Sequence, residues 1–330
     1  MKIFQSVPRI DFMKRRKFAF IATALLISIS IVGVLAIGIN YGIDFRGGTQ
    51  IQLKFGQVPS VKELRRLFRE ELNTEVSIIV FGEVENNELL VTLEQESIEE
   101  STGELNTKVG TIVRKIYPNF DIGDGIRRVE TVGPKVGGEL KNKSKWAAFY
   151  AFAGILIYIG IRFKFRYGIA AVVAIFHDVI ITMGIFILAQ KEFTLTIVAA
   201  ILTIIGYSLN DTIVVFDRVR ENVARFPKRS LEEIINLSIN ESLSRTILTS
   251  LTTFLVVFAL FLLGGNIIHD FSFAMLIGLV VGTYSSVFVA SPVVIALDRV
   301  KWSDLQKLRE RYWQPEAKTG KAGKEPPKKA

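Results

Sequence analysis

Six long blocks of apolar residues most constrain how this chain can fold. The first covers 18–39 without a charged residue, and the others cover 146–161, 167–188, 193–216, 242–263 and 271–297. A helix needs about 20 apolar residues to cross a hydrocarbon layer of about 30 Å. The sequence therefore predicts an α-helical polytopic membrane protein with six transmembrane helices, the second of them short.

The first block follows the basic run KRRK at Lys14–Lys17 and contains small residues at Ala36 and Gly38. A cleaved signal peptide has similar features, but its apolar core is only about 7–15 residues long. We therefore interpret the first block as a retained transmembrane helix.

The positive charges indicate the orientation. Lysine and arginine concentrate before the first block and after the second, fourth and sixth, whereas the two short loops opposite contain only Lys191. Because basic loops stay in the cytoplasm, we expect a multi-pass protein of the cytoplasmic (inner) membrane with both termini cytoplasmic. The net charge of +9 thus reflects topology and does not indicate specific nucleic-acid binding.

The segment 40–145 is predicted to be an extracytoplasmic domain. Strand and amphipathic-helix patterns follow one another as β-α-β-β-α-β, with one weak strand, with Ser60 as a helix cap and a hairpin at Asn86–Asn87. This order predicts a small α+β domain with ferredoxin-like topology. That topology serves many functions, so we interpret the domain as an interaction or spacer module.

The predicted organisation is a cytoplasmic N-terminus at 1–17, a helix at 18–39, the domain at 40–145, five helices within 146–297 and a basic tail at 298–330. The tail is expected to be disordered. The glycine-rich segments FRGGT and VGPKVGGEL do not match a phosphate-binding loop. We interpret both as backbone turns where the domain meets the membrane.

Asn210 and Asp211 interrupt the fourth apolar block. On a helix, Thr203, Tyr207 and Ser208 lie on the same side as Asp211. A charged residue at the centre of a bilayer costs at least about 2.5 kcal/mol on insertion scales, so such residues usually face other helices and have a function. The structural alternative is that Asp211 only bonds neighbouring hydroxyl groups.

Arg245 in the fifth block has Glu241, Ser242 and Thr249 on its own helix face. It is expected in the same half of the membrane as Asp211, where the two side chains can meet directly or through water. A carboxylate in such surroundings can bind and release protons. The alternative is that Arg245 extends to the inner membrane surface.

Three more ionisable residues are candidates for a proton pathway. Asp217 lies near a helix end beside Arg218, where a salt bridge and a transport role are equally consistent with the sequence. His177 and Asp178 lie in the middle of the third block, as a proton relay or a structural network. They make a poor metal site, and the chain contains no cysteine, so we expect neither metal nor cofactor.

Small residues recur every four positions in the sixth block, at Gly278, Gly282, Ser286 and Ala290. This spacing is typical of closely packed transmembrane helices. Pro292 predicts a kink in the same helix. We interpret the four residues as a helix-packing seam without chemistry.

Five segments between Gly42 and Asp298 together resemble the SecF subunits of the bacterial Sec protein-export system. They are GIDFRGGTQIQ, VGPKVGGEL, YSLNDTIVVFDRVREN, SLSRTILTSLTT and GLVVGTYSSVFVASP. SecF also resembles half of a resistance-nodulation-division transporter, whose fourth helix carries paired acidic residues. Here Asn210 replaces the first of that pair, which leaves Asp211 as the single carboxylate.

The resemblance implies a SecD-like partner of similar architecture, the SecYEG channel and a translocating preprotein as further partners, other accessory Sec membrane subunits, and contact with membrane lipid. It also implies that the proton-motive force is used to assist preprotein movement across the membrane. In that reading Asp211 and Arg245 lie in the proton path, and no hydrolytic chemistry is involved. A half-transporter that exports small molecules or lipids and a passive translocon scaffold are the alternatives.

Overall fold

The computed structural model describes residues 7–73, 76–81, 86–93, 102–163 and 165–298. The predicted tail after 298 lies outside these residues. After one 3-10 turn (Met13–Arg15), the elements in chain order are α1 (Arg16–Ile37), α2 (Ile43–Arg46), β1 (Gly48–Lys54), α3 (Val61–Leu72), β2 (Val76–Val80), β3 (Glu88–Leu93), α4 (Thr102–Arg114), α5 (Ile122–Gly125), β4 (Ile126–Val132), α6 (Pro134–Arg162), α7 (Phe165–Leu188), α8 (Leu195–Arg225), α9 (Leu231–Leu263) and α10 (Gly265–Ser285).

Among the described residues, six helices are long and apolar enough to cross a membrane, which agrees with the predicted number of spans. They are α1, α6, α7, α8, α9 and the last helix over Ile268–Asp298. That last helix widens into a π turn at Ser286–Ala290 and continues through 291–298. The π turn ends two residues before Pro292, whose ring nitrogen has no hydrogen to donate to the backbone bonds of the helix.

The segment VGPKVGGEL was predicted to be a turn, and that prediction is wrong. Gly133 is extended, and α6 begins at Pro134 in the first helical position, where a missing N–H leaves no bond unmade. The helix therefore includes polar residues that the sequence analysis assigned to the domain. Gly137 lies against the backbone of Gly47, since a Cβ atom at Gly137 would be 2.9 Å from the Gly47 nitrogen.

Between α1 and α6, an antiparallel sheet has the strand order β2-β3-β1-β4. One face is covered by α3 and α4, and the buried side chains of Leu53, Phe68, Val91 and Val109 share a single core. Ser60 caps α3 by accepting a bond from the Glu63 backbone, as predicted. All four strands are present, including the one with the weak signal.

In the helical bundle, α10 packs closely on α8. A Cβ atom at Gly278 would lie 2.5 Å from the Ile204 side chain, and one at Gly282 would lie 2.9 Å from Ser208. Ser286 and Ala290, the other two residues of the seam, are fully buried. A similar approach joins α1 to α7, because a Cβ atom at Gly184 would overlap Ser30.

Candidate functional site

Asp178 lies at the centre of a buried polar cluster formed by α7, α8 and α10. Its Oδ1 lies 2.8 Å from Nδ1 of His177. Its Oδ2 accepts a short hydrogen bond from the Ser208 hydroxyl and a second, of 2.9 Å, from the Ser285 hydroxyl. These four residues, the Asp178 cluster, are at most 3% exposed.

The cluster extends to α1 through the other nitrogen of His177. Nε2 of His177 lies 3.5 Å from the hydroxyl of Thr23, which lies 3.2 Å from the hydroxyl of Tyr284. Tyr284 donates to the Ala19 carbonyl at 2.9 Å, and its ring stacks on His177. The polar contacts therefore connect α1, α7, α8 and α10.

Asp211 belongs to a second polar cluster, formed by α8, α9 and α10. Oδ2 of Asp211 accepts a hydrogen bond of 3.2 Å from Ser250, whose oxygen accepts one of 2.9 Å from Thr283. The carboxylate residue is only 2% exposed. We call these three residues the Asp211 cluster.

Two helices carry members of both clusters. Ser208 on α8 and Ser285 on α10 belong to the Asp178 cluster. Asp211 on α8 and Thr283 on α10 belong to the Asp211 cluster. Ser208 and Asp211 are three residues apart and lie on one side of α8, about one turn apart, and Thr283 and Ser285 are only two residues apart on α10. A displacement of α8 or α10 therefore affects both clusters.

The structure does not bring Arg245 and Asp211 together in a salt bridge. Arg245 is exposed on α9, and Asn210 is exposed on α8. Thr203 is exposed as well and bonds its own helix backbone, and the buried hydroxyl of Tyr207 makes no hydrogen bond to the part of the chain described. Of the polar residues predicted to line the Asp211 side of the helix, Ser208 instead bonds Asp178.

Asp217 forms a two-point ion pair with Arg162 at the end of α6. The Nη2 atom of Arg162 lies 2.8 Å from each carboxylate oxygen of Asp217. The Nη2 atom of Arg220 lies 3.8 Å from Oδ1 of the same carboxylate. The neighbouring Arg218 pairs with Glu221 and Glu241 instead. These contacts tie helix ends together and lie apart from both buried clusters.

Among the described residues, no group of three or more histidine, aspartate or glutamate side chains is placed to hold a metal ion. His177 and Asp178 bond each other and hydroxyl groups. Their bonding capacity is thus used within the bundle.

Five hydroxyl residues that complete the clusters were not predicted from the sequence, namely Thr23, Ser250, Thr283, Tyr284 and Ser285. Their only signal is a polar side chain within an apolar block. Thr283, Tyr284 and Ser285 follow directly after the small residue Gly282, so the spacing of small residues is the stronger signal in this part of the helix.

Two family models match the chain. The model for the C-terminal part of the protein-export membrane proteins SecD and SecF matches residues 109–300, and the SecD/SecF GG motif matches residues 32–57. The second match includes α2 and the Gly47–Gly48 pair.

Curated relatives are similar over almost their full length. The protein translocase subunit SecF of Desulfurispirillum indicum is 43% identical over 312 residues, covering 94% of this chain and 95% of the relative. The SecF subunit of Magnetococcus marinus is 45% identical over 299 residues, covering 90% and 95%.

A solved structure has the same architecture. The crystal structure of SecDF, a translocon-associated membrane protein from Thermus thermophilus, matches with a TM-score of 0.79 and 38% identity. The match covers 90% of this chain but only 40% of that protein. The chain thus corresponds to less than half of the longer SecDF polypeptide.

Proposed function

Since the chain belongs to the SecF family of membrane subunits with a role in protein translocation, we propose that it uses the proton-motive force to assist preprotein export. The observation that carries this proposal is Asp211, an ionisable group buried within a membrane-spanning helix. The hydroxyl groups of the Asp211 cluster can bond the carboxylate in either protonation state. No hydrolytic step is part of the proposal.

A change in protonation at Asp211 has consequences beyond one side chain. The ionised carboxylate accepts hydrogen bonds, whereas the neutral acid also donates one. Because Ser250 lies on α9 and Thr283 on α10, a change in these bonds alters how both helices pack on α8. This supports coupling between proton passage and a movement of the bundle.

We propose that a SecD-like subunit covers the exposed polar side chains of α8 and α9. Asn210, Arg245 and Thr203 are exposed within membrane-spanning helices, and such side chains are costly against lipid. The match covers 40% of SecDF, so the larger part of that protein lies outside the region similar to this chain. SecYEG, the preprotein and other accessory Sec subunits are further proposed partners.

Cysteine cross-linking checks the proposed partner surface. Because the chain has no cysteine, Asn210→Cys introduces a single reactive site, and we expect it to cross-link to cysteines placed in the SecD-like subunit. Ile21→Cys on α1, where Ile21 is 68% exposed and its neighbours are apolar, is the matched control and should remain uncross-linked. Equal cross-linking at both positions would contradict the assignment.

The domain between α1 and α6 is proposed to lie outside the cytoplasmic membrane, with both termini inside. The scarcity of lysine and arginine in the loops at that end of the bundle supports this orientation. Its strand order, with two helices on one face, supports a ferredoxin-like topology. We propose that this domain moves with the helices and acts on the preprotein.

The experiment that tests the proposed function follows the maturation of a pulse-labelled preprotein in cells depleted of their own SecF. Expression of this chain with its partner should restore the export rate, and a protonophore added after the start of translocation should remove the gain. An export rate that is restored to the same extent with and without the protonophore would reject proton coupling and favour a passive scaffold.

A further inference from the structure

The loop between α7 and α8 is bonded directly to the base of the α+β domain. The Phe193 N–H donates to the Asn40 carbonyl at 2.7 Å, and the Gly42 N–H donates to the Phe193 carbonyl at 3.0 Å. Thr194 packs against Gly42, where a Cβ atom would lie 2.9 Å from its methyl group. The loop and the chain leaving α1 thus form a short two-stranded contact.

The first turn of α8 is capped by a residue of α2. The side chain of Thr194, the residue before α8, makes no capping hydrogen bond. Oδ2 of Asp44 instead accepts a 2.9 Å hydrogen bond from the Leu195 N–H. A carboxylate at a helix N-terminus also interacts favourably with the helix dipole. Asp44 therefore stabilises the N-terminus of α8 both by this hydrogen bond and by its charge.

Side chains strengthen the same contact. The Phe193 ring stacks on Phe45, with ring centroids 5.6 Å apart, and meets Tyr41 edge-on. Gln50 on β1 donates to the Glu192 carboxylate at 3.1 Å. Burial raises the pKa of Glu192, against the opposing effect of the Gln50 hydrogen bond.

On its other side, α2 is tied to the sheet and to α6. Gly47 and Gly48 both have positive φ angles and turn the chain from α2 into β1. A side chain at Gly48 would also collide with the Leu93 carbonyl, 2.5 Å from a Cβ atom. Because Gly137 of α6 packs on Gly47, α2 lies between the first turn of α8 and the first turns of α6.

We propose that α2 and residues 192–195, the α2–α8 joint, transmit a displacement of α8 to the α+β domain, with Asp44 as the main positioning residue. The inference rests on the proposed function and identifies the contact through which a movement of the helices reaches the α+β domain. A continuous helix joins Leu195 to Asp211 over about 24 Å at 1.5 Å per residue. The end of α8 therefore moves when the Asp211 cluster rearranges.

The test uses the purified complex in proteoliposomes and measures proton uptake and preprotein translocation in the same preparation. Asp44→Ala removes the cap, and we expect translocation to fall by about fivefold, the factor by which loss of a helix cap shifts an equilibrium. Proton uptake should remain near the wild-type rate. Asp44→Asn, whose side-chain carbonyl still accepts the Leu195 N–H, should restore most of the translocation.

Ser230→Ala is the matched control, since Ser230 caps the first turn of α9 within the same chain. It removes a cap of the same kind without touching the α2–α8 joint, and should preserve both activities. Unchanged translocation in Asp44→Ala would overturn the inference. Equal loss of proton uptake and translocation would also overturn it, because Asp44 would then act on the proton path or on folding.

A distance measurement separates this inference from the proposed function. Spin labels at Arg66→Cys on α3 and Glu221→Cys on α8, both at exposed positions, report the position of the domain relative to the bundle. Asp44→Ala should broaden the distance distribution whether or not the wild-type complex takes up protons. Absence of proton uptake by the wild-type complex would reject proton coupling but not the α2–α8 joint. Identical distributions would overturn the joint.

Discussion

Replacing Asp211 with asparagine is expected to reduce export to the rate of cells that lack the chain, without lowering its amount in the membrane. Asparagine has nearly the same shape, and its side-chain oxygen can still accept the Ser250 hydroxyl, 3.2 Å from the carboxylate in the wild type. It cannot change protonation. Pulse-labelled preprotein maturation at normal membrane abundance measures the effect.

Glu221→Gln is the control for this prediction. It makes the same carboxylate-to-amide change on α8, but Glu221 is exposed and its ion pair within the described residues is with the exposed Arg218. Exposed pairs contribute about 0–1 kcal/mol, so export should be unaffected. Normal export by Asp211→Asn would remove its proposed role and favour His177 and Asp178, or carboxylates of the partner, as the proton-coupling groups.

Replacing Asp178 with alanine is expected to destabilise the fold. The change leaves the hydroxyls of Ser208 and Ser285 and a ring nitrogen of His177 without their buried partner. Hydrogen bonds between membrane helices contribute about 0.6 kcal/mol each and up to about 1.7 kcal/mol. The two bonds that join helices, from Ser208 and Ser285, therefore amount to about 1–3 kcal/mol, although Ser285 can still donate to the Gly282 carbonyl.

The thermal unfolding midpoint of the purified chain in detergent, with its abundance in membranes, measures this loss. Asp178→Asn keeps an acceptor oxygen and should have a smaller effect. Ser28→Ala removes an exposed hydroxyl that bonds only its own helix on α1, and should change stability by less than about 0.5 kcal/mol. An Asp178→Ala midpoint equal to that of Ser28→Ala would show that the Asp178 cluster adds little stability.

Helix and strand positions were largely predictable because they depend on local pattern. The six long helices coincide with the apolar blocks of the sequence, and the alternation of polar and apolar residues predicted β1. The start of α6 was missed because its first three turns are polar, and the continuation of a helix from Pro134 into the apolar block is not visible in hydropathy alone. The boundaries therefore needed the structure.

Pairings within the candidate site could not be predicted in the same way. Helical periodicity placed Ser208 near Asp211, yet Ser208 bonds Asp178, because the direction in which α7 packs on α8 decides which acceptor it reaches. His177 and Asp178 are neighbours in sequence, and a bond between them was left open. Arg245 was expected in the same half of the membrane as Asp211, where the two can meet directly or through water; it is exposed on α9 and forms no salt bridge with Asp211.

The sequence by itself determined that six helices are apolar enough to span a membrane and that two of them carry carboxylates, Asp178 and Asp211, that are costly there. Both follow from transfer energies of individual side chains, which need no knowledge of neighbours. Only the tertiary structure decided that Asp178 meets Ser285, and that Asp44 caps α8. Those contacts join residues more than 100 positions apart, and helix packing alone sets which of them come within hydrogen-bonding distance.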